Sequence, residues 1–231
     1  MRRVVVYAGT RKVYRQMAAA AKSLLRHTRV DRVWFLIEDD AFPEELPGVI
    51  RTMNLSGQTW LDRDGPNYGG PLTYMSMIRL ALPAILPAES RCLWLDTDTI
   101  VRDDIGELLD MDMCGCYVAM AQEPPRCKYP FLYYNAGVML MNLDRIREDR
   151  IWQRWLLLVN RTELTAQEQD AVNLVCQGWI RTVPAIWNCA VNVTVQTAME
   201  DAKIMHYAGT MKYLGDDVFR EYEDADWRVI T

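Results

Sequence analysis

The sequence predicts an α/β protein with a mainly parallel central sheet flanked by helices. Short apolar runs of strand length (Val4–Ala8, Val33–Ile37, Leu93–Leu95) alternate with longer stretches of helical spacing over the first hundred residues. That strand–helix–strand rhythm belongs to parallel sheets. The second observation is RCLWLDTDTIV, residues 91–101, where four apolar residues run straight into Asp96 and Asp98. Parallel sheets take their ligands at the carboxyl ends of strands, and these aspartates stand at such an end.

Val4–Ala8 is expected as the first strand, starting almost at Met1. Val13–Leu25 follows as a helix through the alanine run Ala18–Ala21, with His27 near its end as a cation facing the helix dipole. Val33–Ile37 is a second strand, and Gly48–Met53 leads to a third. Pro71–Leu86 has a helical pattern ending near Pro87. After Leu93–Leu95, Asp104 and Glu107 fit a capping box ahead of Leu108 and Leu109. Tyr117–Ala121 and Gly137–Met141 read as strands, Asp144–Val159 and Gln167–Val175 as helices. Lys203–Met205 is a short late strand meeting His206. The acidic tail from Gly215 forms a last short helix or frays.

The 231 residues suit one domain spanning 1–231, half apolar and a quarter charged, with a core that needs no staples. A net charge of −5 argues against a nucleic-acid partner, which would call for a basic face. The apolar run Val4–Ala8 is too short for a signal-peptide core. No run reaches the roughly 18 residues of a membrane span. The expectation is a cytoplasmic protein without an integral membrane segment. The six cysteines are scattered, and Cys114 and Cys116 form C-x-C rather than zinc-type C-x-x-C, so reduced thiols are expected.

Four strings carry chemistry. Residues i and i+2 at a strand end project to the same side, so Asp96 and Asp98 place two carboxylates in one small volume. A divalent cation relieves their repulsion, and oxygen ligands suit Mg²⁺, Ca²⁺ or Mn²⁺; the alternative is a solvated turn. In YYNAGVMLMNL, Asn135, Ala136 and Gly137 precede an apolar strand, where small residues let a ligand approach the backbone; a plain turn explains them equally. In KIMHYAGTMK, His206, Gly209 and Lys212 suit a metal-bound diphosphate: imidazole on the metal, backbone and ammonium on phosphate. In QEQDAVNL, Glu168, Gln169 and Asp170 cluster at a helix start.

In this order and combination the four strings resemble glycosyltransferase family 8, the family of glycogenin and the bacterial lipopolysaccharide galactosyl- and glucosyltransferases. The resemblance runs from about Val4 to Lys212. It implies the GT-A fold, with a Rossmann-like mainly parallel sheet, and retaining transfer of a hexose from a UDP-sugar, UDP-glucose or UDP-galactose. By the same resemblance Asp96, Asp98 and His206 hold Mn²⁺, with Mg²⁺ possible, and Gly209 and Lys212 contact the diphosphate. Asn135 and Ala136 line the donor sugar, and Arg79 lies near sugar and phosphate. Thr10 and Tyr14 hold the uracil, Tyr14 by stacking; Ala8 and Thr97 join them in the nucleotide site. Gln169 or Glu168 would stabilise positive charge at the anomeric carbon, with Asp98 acting through the metal. The nucleotide-binding half is expected at about 1–101 and the acceptor half at about 102–231.

The chain departs from the family pattern in three places. Arg11-Lys12 stands where the family often has Asn-Asp, which bears on the uridine contacts. Glu168 stands where an Asp usually precedes Gln. The basic, aromatic tail by which some bacterial members dock on membranes is replaced by an acidic one. The acceptor, whether glycan, lipid-linked sugar or protein, and the oligomeric state are left open. Two rivals from other classes are a non-catalytic UDP-sugar-binding protein and a haloacid-dehalogenase-type phosphohydrolase. The latter uses its D-x-D at the first strand, whereas here the motif follows ninety residues.

Overall fold

In β1 (Val4–Ala8), Val4, Val6 and Ala8 pack into one apolar cluster while Val5 and Tyr7 pack into another. A strand buried on both faces must run through the middle of a sheet with layers above and below. The computed structural model, which describes residues 1–69, 73–123, 131–191, 200–209 and 217–230, places it there. β1 lies between β2 (Arg32–Ile37) and β4 (Arg91–Leu95), parallel to both, with β3 (Ile50–Asn54) parallel at the edge. The direction then reverses: β7 (Tyr134–Asn142) is antiparallel to β4 and to β6 (Val118–Gln122). β8 (Ile180–Val183), parallel to β6, completes the order β3-β2-β1-β4-β7-β6-β8.

The reversal positions the site. Because β7 runs against β4, its beginning meets the end of β4: Leu95 pairs with Val138, and Asp96 N–H donates to Gly137 C=O at 2.8 Å. A second sheet comes from the other side. β5 (Thr99–Val101) pairs antiparallel with β10 (Ile204–His206), which runs parallel to β9 (Cys189–Ala190). Its register sets His206 against Thr99, one residue beyond Asp98.

Helix α1 (Tyr14–His27) covers one face of the main sheet, burying Met17, Ala18, Ala20, Ala21 and Leu24 against Val5, Tyr7, Phe35 and Leu93. The other face is covered by α5 (Leu143–Glu148), α6 (Ile151–Arg161) and α7 (Gln167–Val175), through Ile146, Trp155, Val159 and Val172. On the same face α2 (Tyr74–Met77), a 3₁₀ turn (Ile78–Ala81) and α3 (Leu82–Ile85) follow one another. The short α4 (Gly106–Asp110) lies between β5 and β6. Among the described residues no helix is long and apolar enough to cross a membrane.

Several expectations are corrected. The helix expected over 144–159 is two, broken where Arg150 adopts φ 53° in the left-handed region. The pattern over Pro71–Leu86 is three short pieces within its described part. Strands β5, β8 and β9 were unforeseen. The Asp104 carboxylate accepts from Gly106 N–H at 3.0 Å, but the residue capping α4 is Ile105, without a side-chain bond. His27 is the last residue of α1, as expected, but burial and then Arg26 lower its pKa, and its Nε2 pairs with Tyr222 OH at 3.1 Å. That tyrosine lies on α8 (Asp217–Asp224), which docks the acidic tail on α1 through buried Phe219 and Tyr222 and the pairs Arg15–Glu223 and Arg26–Glu221. Cys92, Cys114, Cys116, Cys176 and Cys189 are free thiols; Cys127 lies outside the described residues.

Candidate metal and nucleotide-sugar site

Ligand atoms of Asp96, Asp98 and His206 all lie within 4.8 Å of one another. The aspartates come from the turn after β4, the histidine from the end of β10. His206 Nε2 is 3.3 Å from Asp98 Oδ1 and 3.8 Å from Asp96 Oδ2. Asn188 fixes the other ring nitrogen. Its amide nitrogen donates to Asn135 Oδ1 at 2.9 Å, leaving its oxygen to accept, so the proton sits on His206 Nδ1, 2.8 Å away. Nε2 is thereby turned to the carboxylates, the orientation a metal-binding imidazole requires. Local electrostatics tie the three groups together. Burial pushes Asp96 up despite the pull of Arg79. Burial also works against the charge on Asp98, but His206 outweighs it and the pKa falls. Burial opposes a charged His206, yet Asp98 and Asp96 carry its pKa upward. Two carboxylates and an imidazole this close together form a donor set for a divalent cation.

Arg79 organises the carboxylate side. It is 2 % exposed and its guanidinium lies over the Trp94 ring, 4.4 Å from the centroid. It donates to Ser76 C=O at 2.8 Å, Ala136 C=O at 2.6 Å and Asp96 Oδ1 at 2.6 Å, and sits 3.3 Å from Glu168 Oε1. Trp94 Nε1 donates to the same Asp96 oxygen at 2.7 Å. Glu168 is buried between Arg79 and Ser76, whose hydroxyl donates to it at 3.3 Å, and burial raises its pKa. Gln169 points elsewhere: its Oε1 accepts Ala136 N–H at 2.9 Å and its Nε2 donates to Glu123 at 3.4 Å. Asn135 also donates to Glu123, at 2.8 Å, and accepts from Gly137 N–H at 2.9 Å.

The structure thus brings together Asp96, Asp98, His206, Arg79, Asn135, Ala136, Glu168 and Gln169. Ala8 ends β1, and Gly9 beside it packs toward Thr97, whose methyl is 3.7 Å from where a Gly9 Cβ would stand. Thr10 is extended ahead of the turn Arg11–Val13. Gly209 has φ +66°, in the left-handed region that glycine adopts without strain. Lys212 lies outside the described residues. Tyr14 departs from expectation. Its ring is 3 % exposed against Phe42, its hydroxyl donates to Asp39 at 2.9 Å, and burial first and then Asp39 push its pKa to about 12. It offers no open face for a base to stack on. Arg11 pairs with Asp39 at 3.0 Å. Sequence reasoning missed Glu123, Asn188, Ser76 and Trp94. Trp94 had a signal, at i−2 from Asp96 and so on the same strand face; the others reach the site from distant elements.

The sequence model of glycosyl transferase family 8 matches residues 4–213. Glycosyltransferase GlyE of Streptococcus pneumoniae is 27 % identical over 178 residues, covering 73 % of this chain and 43 % of GlyE. General stress protein A of Bacillus subtilis is 22 % identical over 182 residues, 66 % of this chain and 63 % of that protein. The crystal structure of GlyE superposes with a TM-score of 0.78 at 22 % identity, covering 100 % of this chain and 62 % of that one. The galactosyltransferase LgtC, solved in complex with donor and acceptor sugar analogs, superposes with a TM-score of 0.71 at 19 % identity, covering 99 % of this chain and 100 % of that one. The chain therefore spans less than two thirds of GlyE, and its fold is that of the GT-A glycosyltransferases.

Proposed function

The chain belongs to glycosyl transferase family 8, and from that premise we propose that it transfers a hexose from UDP-glucose or UDP-galactose to a glycan, lipid-linked sugar or protein acceptor, with retention and with Mn²⁺. The observation that carries the reading is the convergence of Asp96, Asp98 and His206 at the carboxyl end of β4. A cation held by these three residues supplies Lewis-acid neutralisation of the departing diphosphate. The rest falls to side chains of this chain. Arg79 fixes Asp96 and, through its bond to Ala136 C=O, the backbone expected beside the donor sugar. Glu168 is committed to Arg79, and the Gln169 carbonyl to Ala136 N–H. Neither is placed as an open nucleophile, which favours attack by the acceptor hydroxyl from the face the diphosphate leaves. The nucleotide half, about 1–101, holds the four parallel strands β1–β4 and the short β5, and the acceptor half, about 102–231, strands β6–β10.

The test is thermal stability with UDP and either Mn²⁺ or EDTA, on the wild type and Asp98→Asn. Stabilisation is expected only with both UDP and Mn²⁺, following mass action, and not in Asp98→Asn. No shift at millimolar UDP with Mn²⁺ refutes the nucleotide reading. An equal shift in EDTA refutes the metal.

A further inference from the structure

With the diphosphate expected at the aspartates beyond β4, strand spacing locates the base. The order runs β2-β1-β4, and neighbouring strands lie about 4.8 Å apart, so the end of β2 stands roughly 10 Å from that of β4. This is about the reach of a nucleoside from diphosphate to base. The residue after β2 is Glu38, which is partly exposed.

Glu38 is held by its surroundings. Its Oε1 accepts Arg11 N–H at 3.3 Å, and its own N–H donates to Tyr14 OH at 3.2 Å. Tyr74, the first residue of α2, is near enough that, after burial, the Glu38 carboxylate helps raise its phenol pKa. Glu38 therefore lies between the loop after β1 and the helical segment that leads to Arg79. Its neighbour Asp39 serves the loop itself, its two oxygens taken by the Arg11 guanidinium and Tyr14 OH. The charge of Arg11 is neutralised there and the Tyr14 ring is covered. Of the two carboxylates beside this loop, Asp39 is spent on Arg11 and Tyr14, while Glu38 takes one backbone N–H on Oε1.

We propose that Glu38 reads the nucleobase of the donor, accepting a hydrogen bond from a ring N–H and thereby selecting uracil over cytosine. This rests on the nucleotide-sugar reading above. An ionised carboxylate only accepts hydrogen bonds. Uracil presents N3–H, whereas cytosine presents a lone pair on N3, so a carboxylate oxygen set opposite N3 meets another acceptor, and cytosine must shift to offer its N4 amine instead. Discrimination of this kind is large because the mismatch strands polar groups. An amide in place of the carboxylate can donate as well as accept and accommodates either base.

The measurement is the midpoint shift against UDP and CDP concentration, with Mn²⁺, for wild type, Glu38→Gln and Glu38→Ala. Asp40→Asn is the control for lost charge; Asp40 is exposed two residues on, with its Oδ1 accepting from Asn54 at 2.8 Å. Wild type is expected to bind UDP at least tenfold more tightly than CDP. Glu38→Gln should bring that ratio toward one, chiefly by improving CDP. Glu38→Ala should weaken UDP without helping CDP, and Asp40→Asn should keep the wild-type ratio. A wild-type ratio near one, or an unchanged ratio in both Glu38 variants, overturns the proposal while leaving the UDP site standing. A wild type that UDP does not stabilise removes the nucleotide reading and this inference with it.

Discussion

A Cβ added to Gly137 would stand 2.1 Å from Cε1 of His206 and 2.7 Å from each ring nitrogen. The imidazole packs its Cε1 side against the glycine, so the third residue of the Asn-Ala-Gly string is a seat for the histidine rather than a turn that needs unusual backbone angles. Gly137→Ala should push the ring off the aspartates. The expected result is loss of Mn²⁺-dependent stabilisation by UDP, with the overpacked site also costing about 1–3 kcal/mol in urea denaturation. An alanine variant that keeps full metal-dependent stabilisation would show that His206 is not a ligand.

Arg79 to Asp96 and Glu168 is the most heavily committed contact of the site. Removing a partner from a buried ion pair costs about 3–5 kcal/mol, because the remaining charge stays buried. Arg79→Met should approach that loss, measured by urea denaturation without ligand. Arg79→Lys should recover little of it, since an ammonium lacks the fork that reaches two carbonyls and two carboxylates and the plane that lies on Trp94. Recovery to wild-type stability with lysine would mean charge alone suffices.

Asn188 reaches the candidate metal ligands through His206 Nδ1, and its amide nitrogen holds Asn135. Outer partners of ligating histidines contribute roughly 10–100-fold in metal affinity. Asn188→Ala should weaken Mn²⁺ by that order in calorimetric titration. Asn188→Asp, whose carboxylate can still accept from Nδ1–H, should restore most of it. Equal affinity in all three proteins would confine Asn188 to packing.

The sequence showed what is local and hid what is assembled. The parallel core β1–β4 was legible because each strand is a continuous apolar run, and Asp96 and Asp98 were legible because one strand end carries both. Strand β5 was not: its three residues become a strand only by pairing with β10, about a hundred positions later. The break at Arg150 left no trace, since the flanking segments share a helical pattern and arginine gives no left-handed signal. Asn188 and Asn135 are 53 residues apart and Glu123 and Gln169 are 46 apart, so neither pair forms a string. The Tyr14 expectation failed for a related reason: the residue carries the right ring, but Phe42 from another loop covers it.

Glu168 tests how charge near the reacting centre is used. It stands where the family usually has Asp, yet its carboxylate turns to Arg79 and Ser76 rather than toward Asn135 and Ala136. Glu168→Gln keeps the shape and the hydrogen bond from Ser76 but removes the negative charge that shares Arg79 with Asp96. Arg79 should then draw more strongly on Asp96, lowering its negative charge toward the metal. Turnover of the UDP-sugar should fall at least tenfold, about 1.4 kcal/mol in the barrier, while UDP and Mn²⁺ binding change less. A loss confined to kcat supports Glu168 as a positioning residue acting through Arg79. Unchanged kcat and KM would remove it from the mechanism, and the burden of stabilising the developing positive charge would fall on Gln169 and Glu123.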